Sequence, residues 1–295
     1  MHQRRLPAKL VTVRSFLPIL LLLSGAVAAQ GQNLSALTPI QAHDLVTRVL
    51  ATESRAAQDQ GHPMRYRLRK TSPRLTSTKE MIETRDGVVA HLISIDDRPL
   101  SQADEEKEEA RLDALLSDPR LQQHRKKNED VDTARAMNVL QVLPQAFLYQ
   151  FAGSAAATTG TVDKFTFKPN PQFAPPDLET QLLTAMTGEI WIDAAQERVV
   201  RLEGHLQQDK DFGWGILGKL YKGGWIVIEQ ADVGKRQWRM VRFQMVMSGR
   251  VLFVTKSFDT VEDAAHFAPL PVGLDYRQAI QMLRAGPAGA GQGGR

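Results

Sequence analysis

Gly188-Glu189-Ile190-Trp191-Ile192-Asp193, followed after a short turn by Arg198-Val199-Val200-Arg201-Leu202-Glu203-Gly204, reads as a β-hairpin. Ile190-Trp191-Ile192 runs into the turn-forming Asp193-Ala194-Ala195-Gln196, and Val200, Leu202 and Leu206 then alternate with Arg201, Glu203 and His205. That period of two is the mark of a strand with one buried and one wet face. Working outward, residues 225–230, 237–247 and 251–258 give three further strands, with Val241, Phe243, Met245 and Met247 as the apolar side of one of them. Sequential strands of this kind form antiparallel sheets that cover one face and solvate the other.

Toward the N-terminus, Thr38-Pro39-Ile40-Gln41 opens a helix: Thr38 caps, Pro39 suits the first turn and Gln41 completes a capping box. Ile40, Leu45, Val46, Val49 and Leu50 continue at helical spacing, and Gly61-His62-Pro63 stops the run. Met64, Tyr66 and Leu68 alternate with three arginines as a strand, and residues 79–84 and 88–95 flank an Asp86-Gly87 turn. Residues 101–146 change character: Ser101 precedes Asp104, Glu105 and Glu106, Leu112, Leu115 and Leu116 make a narrow apolar stripe, and residues 120–132 are densely charged. This stretch is expected to be a helical insertion with a solvated, mixed-charge face. Phe147, Tyr149 and Phe151 form a strand, residues 153–160 a small-residue loop, Phe165 and Phe167 another strand, and Leu178 to Met186 a short helix. The reading is therefore α+β, with an insertion between two sheet segments.

Residues 1–29 have the layout of a secretory signal peptide, with Arg4, Arg5, Lys9 and Arg14 before the apolar run Phe16–Leu23 and small residues at Val27-Ala28-Ala29. The apolar run is shorter than the ~20 residues that span a bilayer, so cleavage near Ala29 is expected rather than retention as an anchor. The chain has 37 basic and 33 acidic residues, and removing those four bases leaves 33 of each sign. A mature protein with no excess of positive charge lacks the footprint of a nucleic-acid binder. The chain has no cysteine. Disulfides, thiolate metal sites and an acylated N-terminal cysteine are thereby excluded. The expected organisation is a signal peptide at 1–29, one domain at 30–273 holding the 101–146 insertion, and a C-terminal helical turn with a Gly-rich tail at 274–295. The expected location is the periplasm, without a lipid anchor.

Gly213-Trp214-Gly215-Ile216-Leu217-Gly218 matches the dinucleotide fingerprint in letters only, because a polar stretch precedes it and Gly223-Gly224 stops any helix after it. The segment reads instead as an apolar loop whose Phe212, Trp214, Ile216, Leu217 and Leu220 either fold over the core or form a binding surface. Trp191, Trp225 and Trp238 sit in separate strands, where they pack in a core or line a cavity. With Phe243, these nine are the candidate ligand-binding residues. The seven histidines form no metal-ligand pattern, no nucleophile elbow is present and no carboxylate pair stands out. A non-catalytic protein without metal or cofactor is the expectation.

The 188–204 hairpin, with its Asp193 turn and basic-apolar second strand, resembles the outer-membrane lipoprotein-sorting superfamily that includes the LolA, LolB and RseB-type domains, and within it exported acidobacterial proteins of unknown function. A helix at 38–60 ahead of the first strand fits the same pattern. The resemblance spans residues 38–270. It implies a curved antiparallel sheet, an open half-barrel with helices over its concave side, and a cavity for lipoprotein acyl chains or a similar apolar ligand. Peripheral contact with a membrane is compatible with such a carrier. The charged insertion at 101–146 offers an alternative, an envelope protein partner bound through its helices without lipid cargo.

Overall fold

A computed structural model describes residues 37–157, 160–212, 218–251 and 254–286. The signal-peptide segment and the end of the tail lie outside these residues. Helix α1 (Pro39–Ala57) starts with the expected reciprocal capping box between Thr38 and Gln41. Strands β1 (Met64–Ser72), β2 (Leu75–Ile82), β3 (Val89–Ile95) and the short β4 (Arg98–Pro99) follow. The insertion is two helices, α2 (Gln102–Ser117), capped by Ser101, and α3 (Pro119–Ala146), capped by Asp118. Strands β5 (Phe147–Ala157) and β6 (Gly160–Pro169) precede a 3-10 turn at Thr180–Ala185. Then come β7 (Met186–Asp193), β8 (Arg198–Leu206), β9 (Lys210–Phe212), β10 (Gly218–Leu220), β11 (Trp225–Asp232), β12 (Trp238–Val251), β13 (Val254–Pro269) and α4 (Tyr276–Arg284).

The thirteen strands of the described residues join one antiparallel sheet in the order β4-β3-β2-β1-β13-β12-β11-β8-β7-β6-β5, with β9 and β10 branching from β12. The order has two ends, so the curved sheet does not close into a barrel. Residues 153–157, expected as a loop, continue β5 and pair with β6 across a bulge at Phe151–Gly153. The ladder's hydrogen bonds outweigh the weak strand preference of Ala and Gly there. The flanks of the 212–220 segment likewise pair as β9 and β10 rather than looping freely.

Register fixes which residues share a face, because directly paired residues point the same way. The inner face carries Ile190, Ile192, Val199 and Phe165, and α1 lies on it through Ala42, Val46, Val49 and Leu50. Gly188 and Gly204 pair directly here, and a Cβ on Gly188 would run into the Glu203 carbonyl and the Phe167 ring. A second core lies at the other end of the sheet on the opposite face, where Ile82 and Val89 meet Leu112 and Leu115 of α2 and Ile280 and Leu283 of α4. One face is thus covered at one end, and the other face at the other.

The charged insertion closes the sheet edge at β3. Outward backbone groups at alternate residues meet its side chains: the N–H of Leu92 donates to Glu108 Oε1 (2.8 Å), the C=O of Ala90 accepts from Arg111, and the N–H of Val88 donates to Glu129 Oε2 (3.0 Å). Gln122 donates to the C=O of Asp86. Three charged side chains of the insertion, Glu108, Arg111 and Glu129, are thus committed to protecting an edge strand, while most of residues 120–132 stay exposed as expected. Burial raises the Glu108 carboxyl, but the Arg111 guanidinium and the Leu92 N–H outweigh it and hold the group below the usual carboxylate range. Glu108→Ala leaves the Leu92 N–H without its acceptor, and a loss of about 2 kcal/mol is expected in urea unfolding. The charge-dependent part of that loss is fully present above the ordinary carboxylate pKa and disappears as pH falls through the lowered one. Hydrogen exchange at Leu92 accelerates alongside it.

Candidate functional site

A cavity of about 680 Å³ lies between the inner face of the sheet, the C-terminal half of α1 and the middle of α3. Its floor is Ile190, Leu202, Ile228 and Met240 with Trp238, and its roof is Leu50 and Leu140. The floor is apolar because β7, β8, β11 and β12 each turn their inward-facing residues to it in register.

One polar cluster crosses the cavity. Glu53 of α1 is buried and accepts Nε and Nη2 of Arg198 at 2.9 Å each. Oε1 also accepts the Val199 N–H (2.8 Å), and Oε2 accepts Gln230 Nε2 (3.2 Å). The Arg198 guanidinium lies 5.5 Å from the Trp238 ring centroid, and the Trp238 N–H donates to Gln196 (3.1 Å). These groups satisfy one another and offer the cavity an apolar surface rather than an open charge. The rim is polar, with Glu83, Glu129, Lys126 and Arg239. Burial pushes the Glu83 carboxyl up, Arg239 and the Met64 N–H pull it down, and Glu129 adds to the rise.

The structure separates the candidate residues. Trp238 lines the cavity, and Phe243 pairs with Ile228 on the same inner face. Leu220 packs against the α1 core at its margin. Phe212 sits in β9, paired with Gly218. Trp191 and Trp225 face away from the cavity. Trp191 alternates with the buried Ile190 and Ile192, and Lys164 Nζ stands 3.8 Å from its ring centroid, with Arg201 at 5.6 Å on the other neighbouring strand. Trp225 pairs with His205, which shares the outer face with Trp191. Trp214, Ile216 and Leu217 lie outside the described residues. Sequence reading missed Glu53, Arg198 and Gln230, whose meeting depends on separations of 145 and 177 residues.

The outer face carries a ladder across seven strands: Lys164, Trp191, Arg201, Glu229, Arg242, Asp263 and Arg69 are successive neighbours in register. Arg201 pairs with Glu229, Arg242 with Asp263 (2.9 Å), and Arg69 with Asp97 (2.7 Å). The two cross-strand pairs, Arg201–Glu229 and Arg242–Asp263, contribute roughly 0.2–1 kcal/mol each. Among the described residues no group of three or more His, Asp or Glu side chains could hold a metal ion.

Two substitutions test the site. Glu53→Ala strands Arg198 in a buried position, and a stability loss of about 3–5 kcal/mol is expected in chemical unfolding. Glu83→Gln keeps an acceptor for the Met64 N–H while removing a carboxylate that burial disfavours. It raises the melting temperature at pH values above the elevated Glu83 pKa, and the gain shrinks as pH falls through it, because the wild-type carboxyl is then protonated as well.

No protein-family model matches the chain, and no curated protein matches it. It is similar to the solved structure of an outer membrane lipoprotein-sorting protein domain from Vibrio parahaemolyticus, at 9% identity over 83% of this chain and 100% of that one, with a TM-score of 0.32. It is also similar to a DUF1329 family protein from Desulfovibrio piger, at 11% identity over 79% of this chain and 95% of that one, with a TM-score of 0.30.

Proposed function

We propose that the protein is an exported, periplasmic carrier or binding protein for an apolar, lipid-like ligand, held without covalent chemistry in the inner-face cavity. The observation that carries this reading is the pairing of an apolar floor with an internally neutralised polar cluster. At about 680 Å³ the cavity has the size of a small-molecule site. An acyl chain laid on Leu202, Ile228 and Met240 gains ~0.8 kcal/mol per CH₂ taken from water. The polar rim suits a ligand with one hydrophilic end, placed at Glu83, Glu129 and Arg239 with its chain running inward. Residues 1–29 would deliver the protein, and among the described residues no helix is long and apolar enough to cross a membrane. The structural role of the insertion at the β3 edge accounts for Glu108, Arg111 and Glu129 without a protein partner.

Native mass spectrometry of protein purified from the periplasm is expected to show a co-purifying lipid-sized mass, and a fluorescent fatty-acyl probe is expected to bind and be displaced by it. Ile228→Lys places a charge on the floor and should weaken probe binding by about tenfold or more. Trp191→Ala, on the outer face, should leave it unchanged. No bound lipid and no probe binding would sink the proposal.

A further inference from the structure

The two long edges of the sheet are treated differently. At β3 the outward backbone groups are met by side chains of α2 and α3. At β5, the other end of the strand order, no described segment pairs with the outer side. The phase of the β5–β6 ladder shows which groups stand open. The Asn170 N–H donates to the Ala146 C=O at 2.8 Å, which makes Phe147↔Pro169 a non-hydrogen-bonded pair. Leu148 and Gln150 therefore bond to β6, while the N–H and C=O of Tyr149 and Phe151, and past the bulge those of Ser154 and Ala156, point outward.

This edge lacks the usual defences. Residues 147–159 contain no charged residue and no proline, and β5 is 11 residues long. Natural edge strands of that length normally carry a charge, a proline or a cover against pairing. A second hollow of about 990 Å³ starts at this edge, at Leu37, Ile40, Leu148 and Gln150, and runs over β6, β7 and β8 to Glu189 and Glu203. Ile40 is 74% exposed and Leu148 45% exposed. Apolar side chains of that size left in water beside an open ladder mark an interaction surface.

We infer that β5 pairs antiparallel with β5 of a second copy of this chain, extending the sheet across a two-fold axis. Self-pairing suits this strand because it brings no like charges together, and every open N–H and C=O finds its counterpart on the same strand of the partner. Eleven residues at ~3.4 Å each make an edge ~37 Å long, and a strip ~10 Å deep along it covers roughly 400 Å² per copy. The N-terminal turn of α1, with Ile40, must join in for the pair to approach the ~1,000 Å² total of a specific interface. An interface of that size fits weak, reversible association.

Because the chain has no cysteine, single cysteines placed in turn at Leu148, Gln150, Ala152, Ser154 and Ala156 in the mature protein test the geometry. A disulfide needs Cα atoms within about 7 Å, so only the one or two positions next to the two-fold axis should cross-link to the same position of a second copy. Sedimentation should show a concentration-dependent dimer. The double variant Gln150→Lys, Ala152→Lys, at two exposed positions, should weaken it by about tenfold or more with an unchanged melting temperature. A monomer at all concentrations up to the solubility limit, cross-linking at every position or at none, or a dimer indifferent to the two lysines would each overturn the inference. So would cross-linking that appears only once residues 30–36 are removed, since the edge would then belong to the chain's own N-terminal segment.

Discussion

The position of α1 depends on one carboxylate. Glu53 takes a bidentate pair from Arg198, the Val199 N–H and the Gln230 amide, and so ties the helix to β8 and β11 at once. A buried ion pair contributes little net stability, since desolvation offsets most of the attraction. Its value here is geometric. Four directed hydrogen bonds fix both the roll of α1 and its place along the sheet, which brings Val46, Val49 and Leu50 onto Ile190 and Ile192. The same strut occupies the gap between helix and sheet, so the space beside it stays open as the cavity rather than collapsing into core.

A thirteen-stranded open sheet exposes two faces and two edges, and each is handled by separate means. The inner face is covered by α1 at the β5–β8 end, and the outer face by α2 and α4 at the β1–β3 end. The outer face between β6 and β1 stays wet and is crossed by the alternating-charge ladder from Lys164 to Arg69. The ladder does for this face what an apolar layer does elsewhere, because each rung matches opposite charges, or a cation and an aromatic ring, only in the native register. A one-residue slip of any strand would remove its rung and turn its apolar residues outward.

The local features were legible in the sequence. The capping box at Thr38, the 188–204 hairpin and the Ser101 cap each involve residues within a few positions of one another, so spacing alone specifies them. The two tryptophans show where residue type misled. Trp191 sits between Ile190 and Ile192, and Trp225 precedes Ile226 and Ile228 in alternation, so parity already assigned both to the face opposite the isoleucines. Their size suggested a cavity lining instead. The charged insertion was opaque for another reason: the partners of Glu108, Arg111 and Glu129 are backbone groups of β3, and a backbone leaves no signature in composition. The run at 153–157 failed as a strand prediction because Gly and Ala carry little β preference, and only the pairing with β6 supplies the reason to extend.

The cavity and the open edge divide α1 between them. Its first turn, through Pro39, Ile40 and His43, borders the groove at β5, and its last two turns, through Leu50, Glu53, Ala56 and Ala57, border the cavity. The two linings share no residue. A second copy seated on β5 would therefore leave the apolar floor and the Glu83–Arg239 rim uncovered, so pairing at the edge would not block the cavity. The helix that Glu53 anchors is the element in common.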